Sequence, residues 1–191
     1  MADSISTPVY TPWLDYPKIW KSEAAWLSWI RGGIRRYLWS KSPIKVEFIK
    51  KCRKKIANPN EKNAKRFPTV WGATCSLCGL EYAIKDMECD HRKGEHSLRS
   101  IDDLQSFVEG IVLVREDDLQ LLCKTCHKNK TYSDRAGISI DEAAIEKQAI
   151  AICKQKADVV KSWIRERGEI PCATAAQRRL QVVEILKREK G

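Results

Sequence analysis

The sequence predicts an α+β protein, with a strand-bearing central module at residues 69–137 between helical regions at residues 1–68 and 138–191. Three observations lead there. Apolar residues recur at three- and four-residue steps on both sides of the centre, which is the spacing of a helix face. Between them, residues 86–91 and 119–123 read as short strands. Two Cys-x2-Cys pairs, Cys75/Cys78 and Cys123/Cys126, sit toward the two ends of the module.

Composition narrows the classes. With 43% hydrophobic residues in 191, a real core is available and wholesale disorder is excluded. No apolar run reaches the roughly 20 residues of a membrane span. The first residues lack the charged stretch and apolar run of a secretory signal, so a soluble, intracellular, cytoplasmic protein is expected. The net charge of +10 calls for a polyanionic partner, nucleic acid first. That charge is concentrated: residues 31–66 hold 13 basic and two acidic side chains, a net +11, while the remaining 155 residues sum to −1. Generic solubility would spread the charge; this pattern is an electrostatic footprint.

Taken in order, residues 1–20 are rich in proline and aromatics without a period, and are expected as an extended, docked arm. Ser22 can cap a helix carrying Trp26, Trp29, Ile30, Ile34, Tyr37 and Leu38, with Gly32-Gly33 expected to kink or split it. Five of the seven tryptophans fall in the first 39 residues, as the packing of a helical cap. A second helix follows Pro43. Val46, Ile49, Cys52 and Ile56 mark one face, with Lys50, Lys51, Arg53, Lys54 and Lys55 on the others. The shortage of acidic neighbours makes these five candidate DNA contacts; the competing reading is a solvated face. Residues 56–68 read as a polar linker, and residues 101–110 as a short structural helix.

Gly137 ends the central module. Ser139-Ile-Asp-Glu142 is a capping box opening one long helix to about residue 167, with Ile145, Ala149, Ile152, Val159 and Trp163 inward and Gly168 as its C-cap. Thr174-Ala-Ala-Gln177 opens another helix. It is expected to bury Ala176, Leu180, Val183 and Leu186 and to present Arg178, Arg179, Lys187 and Arg188 outward. Arg178 and Arg179 are therefore further DNA-contact candidates.

The cysteines carry the sharpest signal. An intracellular setting argues against disulfides. Cys52, Cys89, Cys153 and Cys172 stand alone, whereas Cys75, Cys78, Cys123 and Cys126 have the paired spacing of a tetrahedral structural zinc site. The 44 residues between the pairs exceed a minimal finger, so something further is built there. All three histidines, His91, His96 and His127, lie within a 37-residue window. His96 reads as a loop residue. Asp90-His91 closes the first strand and His127 follows the last knuckle cysteine. Pairing of the two strands would gather a carboxylate and two imidazoles. Phosphodiester hydrolysis needs a base for water, which an imidazole suits, and a cation at the leaving oxygen. Asp90 and neutral His127 could hold a hard divalent ion, with Lys128 and Lys130 on flanking phosphates.

At these residues the chain resembles a known family. Trp71-Gly-Ala, Cys75-x2-Cys78-Gly79, Glu88-Cys-Asp90-His91 and Asp118-Leu-Gln-Leu-Leu-Cys123-x2-Cys126-His127-x2-Lys130-Thr131-Tyr132 are similar to the HNH endonucleases with a zinc-braced ββα-metal finger, most of all the HNH homing endonucleases of tailed bacteriophages. The resemblance covers residues 69–140. It implies structural zinc on the four cysteines and a catalytic divalent cation, Mg2+ or another, on Asp90 and His127. It also implies His91 as general base and double-stranded DNA as substrate. Where the family has asparagine to orient that base, this chain has Asp118, whose carboxylate would accept the Nδ1–H of His91.

Two functions compete: a metal-dependent DNA endonuclease of nicking or homing type, and a non-catalytic zinc-braced DNA-binding module. The trio Asp90, His91 and His127 favours the first, and the Asn-to-Asp change at 118 favours the second. A lone site per chain implies that cutting both strands takes a dimer or successive nicks. Target preference is expected from the loop around residues 92–99 or from the C-terminal helix.

Overall fold

The computed structural model describes residues 10–94 and 97–190. Its class is mixed α+β, as the sequence predicts. The chain divides into two compact units, the first ending at Leu122 and the second beginning at Cys123.

In the first unit the elements run α1 (Pro12–Asp15), α2 (Glu23–Gly33), α3 (Pro43–Cys52), β1 (Lys54–Ala57), α4 (Glu61–Ala64), β2 (Thr69–Thr74), β3 (Glu81–Ala83), β4 (Met87–His91), α5 (Leu104–Val112) and β5 (Leu119–Cys123), whose last residue opens the second unit. Ser22 caps α2 by accepting the Ala25 N–H. After Gly33 the backbone switches to a π-helical turn over Ile34–Trp39, which is the split expected at the glycine pair. Of the arm expected over residues 1–20, residues 1–9 lie outside the described ones. The remainder is not extended. Pro12–Asp15 makes one helical turn, and Trp13 and Trp20 pack against Trp26 and Trp29 at 5.6 and 5.2 Å between ring centroids.

The helical core is centred on Leu27, Leu98, Phe107 and Ile111, with Trp26, Ile30, Ile34 and Trp39 packed around them. The short helix expected over residues 101–110 is thus a structural partner of α2. Each such buried side chain contributes roughly 1.5–3 kcal/mol. Trp29, Tyr37 and Leu38, expected inward, are exposed. Leu27 takes the position that the tryptophan spacing obscured.

The second helix is shorter than its pattern. α3 ends at Cys52, Arg53 is already extended, and β1 begins at Lys54. Ile56 is therefore buried from a strand and not from the fourth position of a helix face. β1 pairs antiparallel with β2 (Lys54 opposite Gly72, Lys55 opposite Trp71, Ile56 opposite Val70), and β2 pairs antiparallel with β3. Helical and strand spacing coincide over so short a run, and sheet pairing decides between them. The stretch expected as a linker, residues 56–68, instead comprises the end of β1 and the β1–β2 connection at 58–68, closed by Asn58 N–H on the Pro68 carbonyl at 3.0 Å. Gly72 admits no side chain: a Cβ there would lie 2.3 Å from Ile56 Cδ1 and 2.6 Å from the Tyr82 carbonyl oxygen. β4 and β5 form a separate two-stranded sheet, the pairing the sequence anticipated, with β4 starting at Met87.

The second unit holds α6 (Lys124–Ala136), α7 (Ile140–Cys153), α8 (Ala157–Arg165) and α9 (Ala175–Lys190). Gly137, left-handed at φ 66°, ends α6, and the Ser139–Glu142 capping box opens α7. The long helix expected to residue 167 is broken at 154–156. The break resets the phase, so Val160 and Ile164 are buried while Val159 is exposed. They join Ile145, Ala149, Val182, Val183, Ile185 and Leu186 in one core. Thr174 and Gln177 form the expected second box, with Gln177 N–H on Thr174 Oγ1 at 3.2 Å and Thr174 N–H on Gln177 Oε1 at 3.3 Å. The inward face of α9 is shifted from expectation: Ala176 and Leu180 are exposed and Arg178 is buried. Among the described residues, no helix is long and apolar enough to cross a membrane.

Candidate functional site

The first knuckle is the tight turn between β2 and β3. Cys75 N–H donates to the Leu80 carbonyl (2.9 Å) and Gly79 N–H to the Cys75 carbonyl (3.0 Å). Gly79 sits at φ 72°, a left-handed position that suits glycine and lets the chain double back. Ser76 N–H ties this turn to β5 through the Leu121 carbonyl at 2.8 Å. The second knuckle is the β5–α6 junction, where Cys123 Sγ accepts the Cys126 N–H at 3.4 Å as an N-cap. The sulfurs of Cys75, Cys78, Cys123 and Cys126 all lie within 4.8 Å of one another. Tetrahedral zinc with bonds of about 2.3 Å wants sulfurs about 3.8 Å apart, so the cluster fits with a small contraction. Four thiolates around one ion would leave no open coordination position, as in structural zinc sites. Among the described residues this is the one close group of three or more His, Cys, Asp or Glu ligands; Asp90 and His127 are not in such a group.

β4 alternates. Met87, Cys89 and His91 are buried, whereas Glu88 and Asp90 are half-buried on the other face. Burial pushes the Cys89 thiol up to about 11, so it stays protonated and inert, as expected of a core cysteine. His91 is 8% exposed. Its ring lies against Trp39 with centroids 4.2 Å apart, and its Nε2 is 3.3 Å from the Ile111 carbonyl oxygen. A carbonyl can only accept, so Nε2 carries a proton in this bond. Gln120 donates to the His91 backbone carbonyl at 3.3 Å, and Arg92 N–H reaches the Asp118 carbonyl at 2.8 Å.

The expectation for Asp118 is corrected. Its carboxylate accepts the Arg115 N–H at 2.8 Å, closing its own turn before β5. Ile111 holds the imidazole that Asp118 was expected to orient. A backbone carbonyl leaves no trace in the sequence, so neither Ile111 nor the covering Trp39 was legible as a histidine partner.

On α6, His127 is half-buried in the first turn and Lys128 is exposed. Lys130 departs from expectation: its ammonium is buried and meets Asp134 at 2.7 Å, so it braces the helix and is not free for phosphate. Arg178 is buried too, donating to the carbonyls of Cys172 (2.8 Å) and Ala173 (2.5 Å). Arg179 pairs with Glu146 at 2.7 Å.

The five basic residues at 50–55 divide into two sets. Lys50, Lys51 and Lys54 meet Glu47, Glu116 and Glu81 at 2.6, 2.6 and 2.5 Å. The expected shortage of acidic partners is therefore corrected for these three: Lys50 has its local neighbour Glu47, and Glu116 and Glu81 reach Lys51 and Lys54 from distant sequence. Arg53 and Lys55 instead lie over the ring of Trp71, 4.5 and 4.4 Å from its centroid. His96 lies outside the described residues. No protein-family model, curated protein or solved structure matches this chain.

Proposed function

We propose that the chain is a metal-dependent DNA endonuclease, a zinc-braced ββα-metal enzyme of the HNH type that nicks or homes on double-stranded DNA. The observation that carries the reading is the setting of His91. It ends a strand, and the Ile111 carbonyl accepts the hydrogen bond from its Nε2, so the nitrogen that would act as base is Nδ1. The order β4, β5, α6, with Cys123 and Cys126 at the last junction, supports the same reading.

In this mechanism Nδ1 of His91 accepts a proton from water as the water oxygen bonds to phosphorus and the bond to the 3′-oxygen breaks. The developing imidazolium is stabilised by the Ile111 carbonyl at Nε2. Asp90 and His127 would hold the divalent cation, Mg2+ or a similar ion, which when bound stabilises charge on the scissile phosphate and the leaving oxygen. Together they would supply one hard carboxylate and one borderline imidazole, with the remaining positions left to water and phosphate. Half-burial of Asp90 and His127 keeps both from being sealed in the core. Lys128 is exposed in the first turns of α6, as Lys124 is, and is a better phosphate contact than the buried Lys130.

One observation favours the second reading, a zinc-braced DNA-binding module without catalysis. His91 is almost wholly buried beneath Trp39, as a packed and satisfied histidine would be. Incubating the protein with supercoiled plasmid, with Mg2+, Mn2+ or EDTA, separates the two. Nicking that needs a divalent ion and disappears in His91→Ala supports the enzyme. Tight plasmid binding without nicking under any ion supports the module.

A further inference from the structure

We propose that the outer face of the β1–β2 hairpin is the phosphate-binding surface for duplex DNA, with Arg53 and Lys55 as the contacting cations and Trp71 as the residue that holds them in place. This deepens the proposed function and rests on its DNA substrate.

The argument starts from strand periodicity. Arg53 and Lys55 are two residues apart in extended backbone, so they project to the same side. Lys55 stands directly opposite Trp71 in the β1–β2 register, which puts the indole on that side as well. Lys54 and Ile56 project to the other side, where Lys54 meets Glu81 and Ile56 lies over Gly72. One face of the hairpin is therefore neutralised and packed. The other carries two cations and a tryptophan that remains 43% exposed.

What separates Arg53 and Lys55 from their neighbours is the nature of their partner. Lys50, Lys51 and Lys54 each face a carboxylate, and moving one onto a phosphate exchanges one anion for another. Arg53 and Lys55 face a neutral π surface, which attracts a cation without cancelling its charge. Their full charge stays available while their side chains are already ordered, so less conformational entropy is lost when phosphate arrives. The occupant is argued from charge: the surrounding segment, residues 31–66, carries the whole net +11 and complements a polyanion.

The test is a salt titration of binding to a labelled duplex of random sequence, without added divalent ion so that nothing is cut. Wild type is compared with Arg53→Gln/Lys55→Gln, Lys50→Gln/Lys51→Gln, Trp71→Ala and Trp71→Phe. Each neutralised phosphate adds about 0.9 to the slope of log K against log salt, so losing Arg53 and Lys55 should flatten it by about 1.8. The Lys50/Lys51 variant should flatten it by less than half as much. Trp71→Ala keeps both charges and so keeps the slope, but should weaken binding about threefold to tenfold through lost ordering. Trp71→Phe, which retains a ring, should recover part of that loss and excludes simple misfolding. An unchanged slope in Arg53→Gln/Lys55→Gln, or equal flattening by both double variants, would overturn the proposal while leaving the DNA substrate standing. Wild type that fails to bind duplex at low salt would overturn the substrate as well. Tighter binding to phosphatidylserine vesicles than to duplex would assign the face to a membrane and overturn it.

Discussion

The four-cysteine cluster and the strand-end histidine are built by different means. Each knuckle is a local device: a turn closed by Gly79, or a helix start capped by Cys123, sets two thiols within three residues of each other. Only one further condition, β5 lying beside the first turn, is needed to gather all four, and the Ser76–Leu121 bond meets it. His91 is held by groups from far along the chain: the Trp39 ring, the Ile111 carbonyl and, through its own carbonyl, Gln120. A site made of short-range turns tolerates change elsewhere in the fold. A site made of long-range packing depends on the whole helical core behind it.

The largest effect should come from breaking the local device. If the four cysteines hold zinc, Cys75→Ser or Cys126→Ser removes one of four ligands from a closed site whose metal binding would be coupled to folding, with zinc binding worth about 10–16 kcal/mol in comparable sites. The expected result is loss of bound zinc by elemental analysis, with insoluble protein or a large drop in melting temperature. Folded wild-type protein without stoichiometric metal would reverse the comparison, leaving the cysteines as ordinary thiols.

Next come changes at the histidine. On the proposed endonuclease reading, His91→Ala should abolish nicking and leave DNA affinity nearly unchanged, because a base acts in the transition state and little in binding. Trp39→Ala should act differently, since it removes a half-buried ring from the helical core. It should cost about 2 kcal/mol in chemical denaturation, below the range for fully buried aromatics, and should disturb the histidine only through its packing. If Trp39→Ala instead leaves stability untouched, the long-range half of the comparison fails.

The same distinction explains what could be read from the sequence. Knuckles, the Ser22 and Ser139 caps, the Thr174 box and the glycine end of α6 at Gly137 are signals contained in three or four residues, and each appears where expected, whereas Gly168, expected as a C-cap, lies beyond the end of α8 at Arg165, whose C-cap is Glu166. The β4–β5 pairing was legible because both strands have short bounded patterns. Partner choice was not legible. Nothing near Lys51 or Lys54 announces Glu116 or Glu81, and nothing near Arg178 announces that its guanidinium is consumed by the Cys172 and Ala173 carbonyls. The break at 154–156 was hidden for a related reason: apolar residues on both sides of it still fit one helical period approximately, and the core selects the shifted phase.

A third prediction applies this to the glycines. Gly72→Ala should destabilise by about 1–3 kcal/mol, because its Cβ would meet Ile56 and the Tyr82 carbonyl, and a backbone oxygen cannot move aside cheaply. Gly33→Ala meets nothing within 4 Å at the end of α2 and should stabilise by up to about 1 kcal/mol. Equal and small effects in urea denaturation would show that the β1–β2 pairing is looser than its register indicates.

The smallest effect compares two devices of the same local kind. Ser139 and Glu142 cap α7 with a charged box, and Thr174 and Gln177 cap α9 with a neutral one. The Ser139 backbone N–H and hydroxyl, both donating to the Glu142 carboxylate, hold its pKa below the ordinary 4.5. A carboxyl depressed in the folded state contributes stability above its unfolded pKa, and that contribution is lost as pH falls through the lower folded value. The α7 cap should therefore be intact at neutral pH and weaken below the ordinary glutamate range, while the α9 cap has no titrating member. Glu142→Gln converts the first box into the second type. Melting curves from neutral to acid pH should show the acid loss shrinking in Glu142→Gln and unchanged in Gln177→Ala, which lowers stability by the same amount at every pH. Identical acid profiles for wild type and Glu142→Gln would mean that the Ser139 donors do not favour the ionised carboxylate.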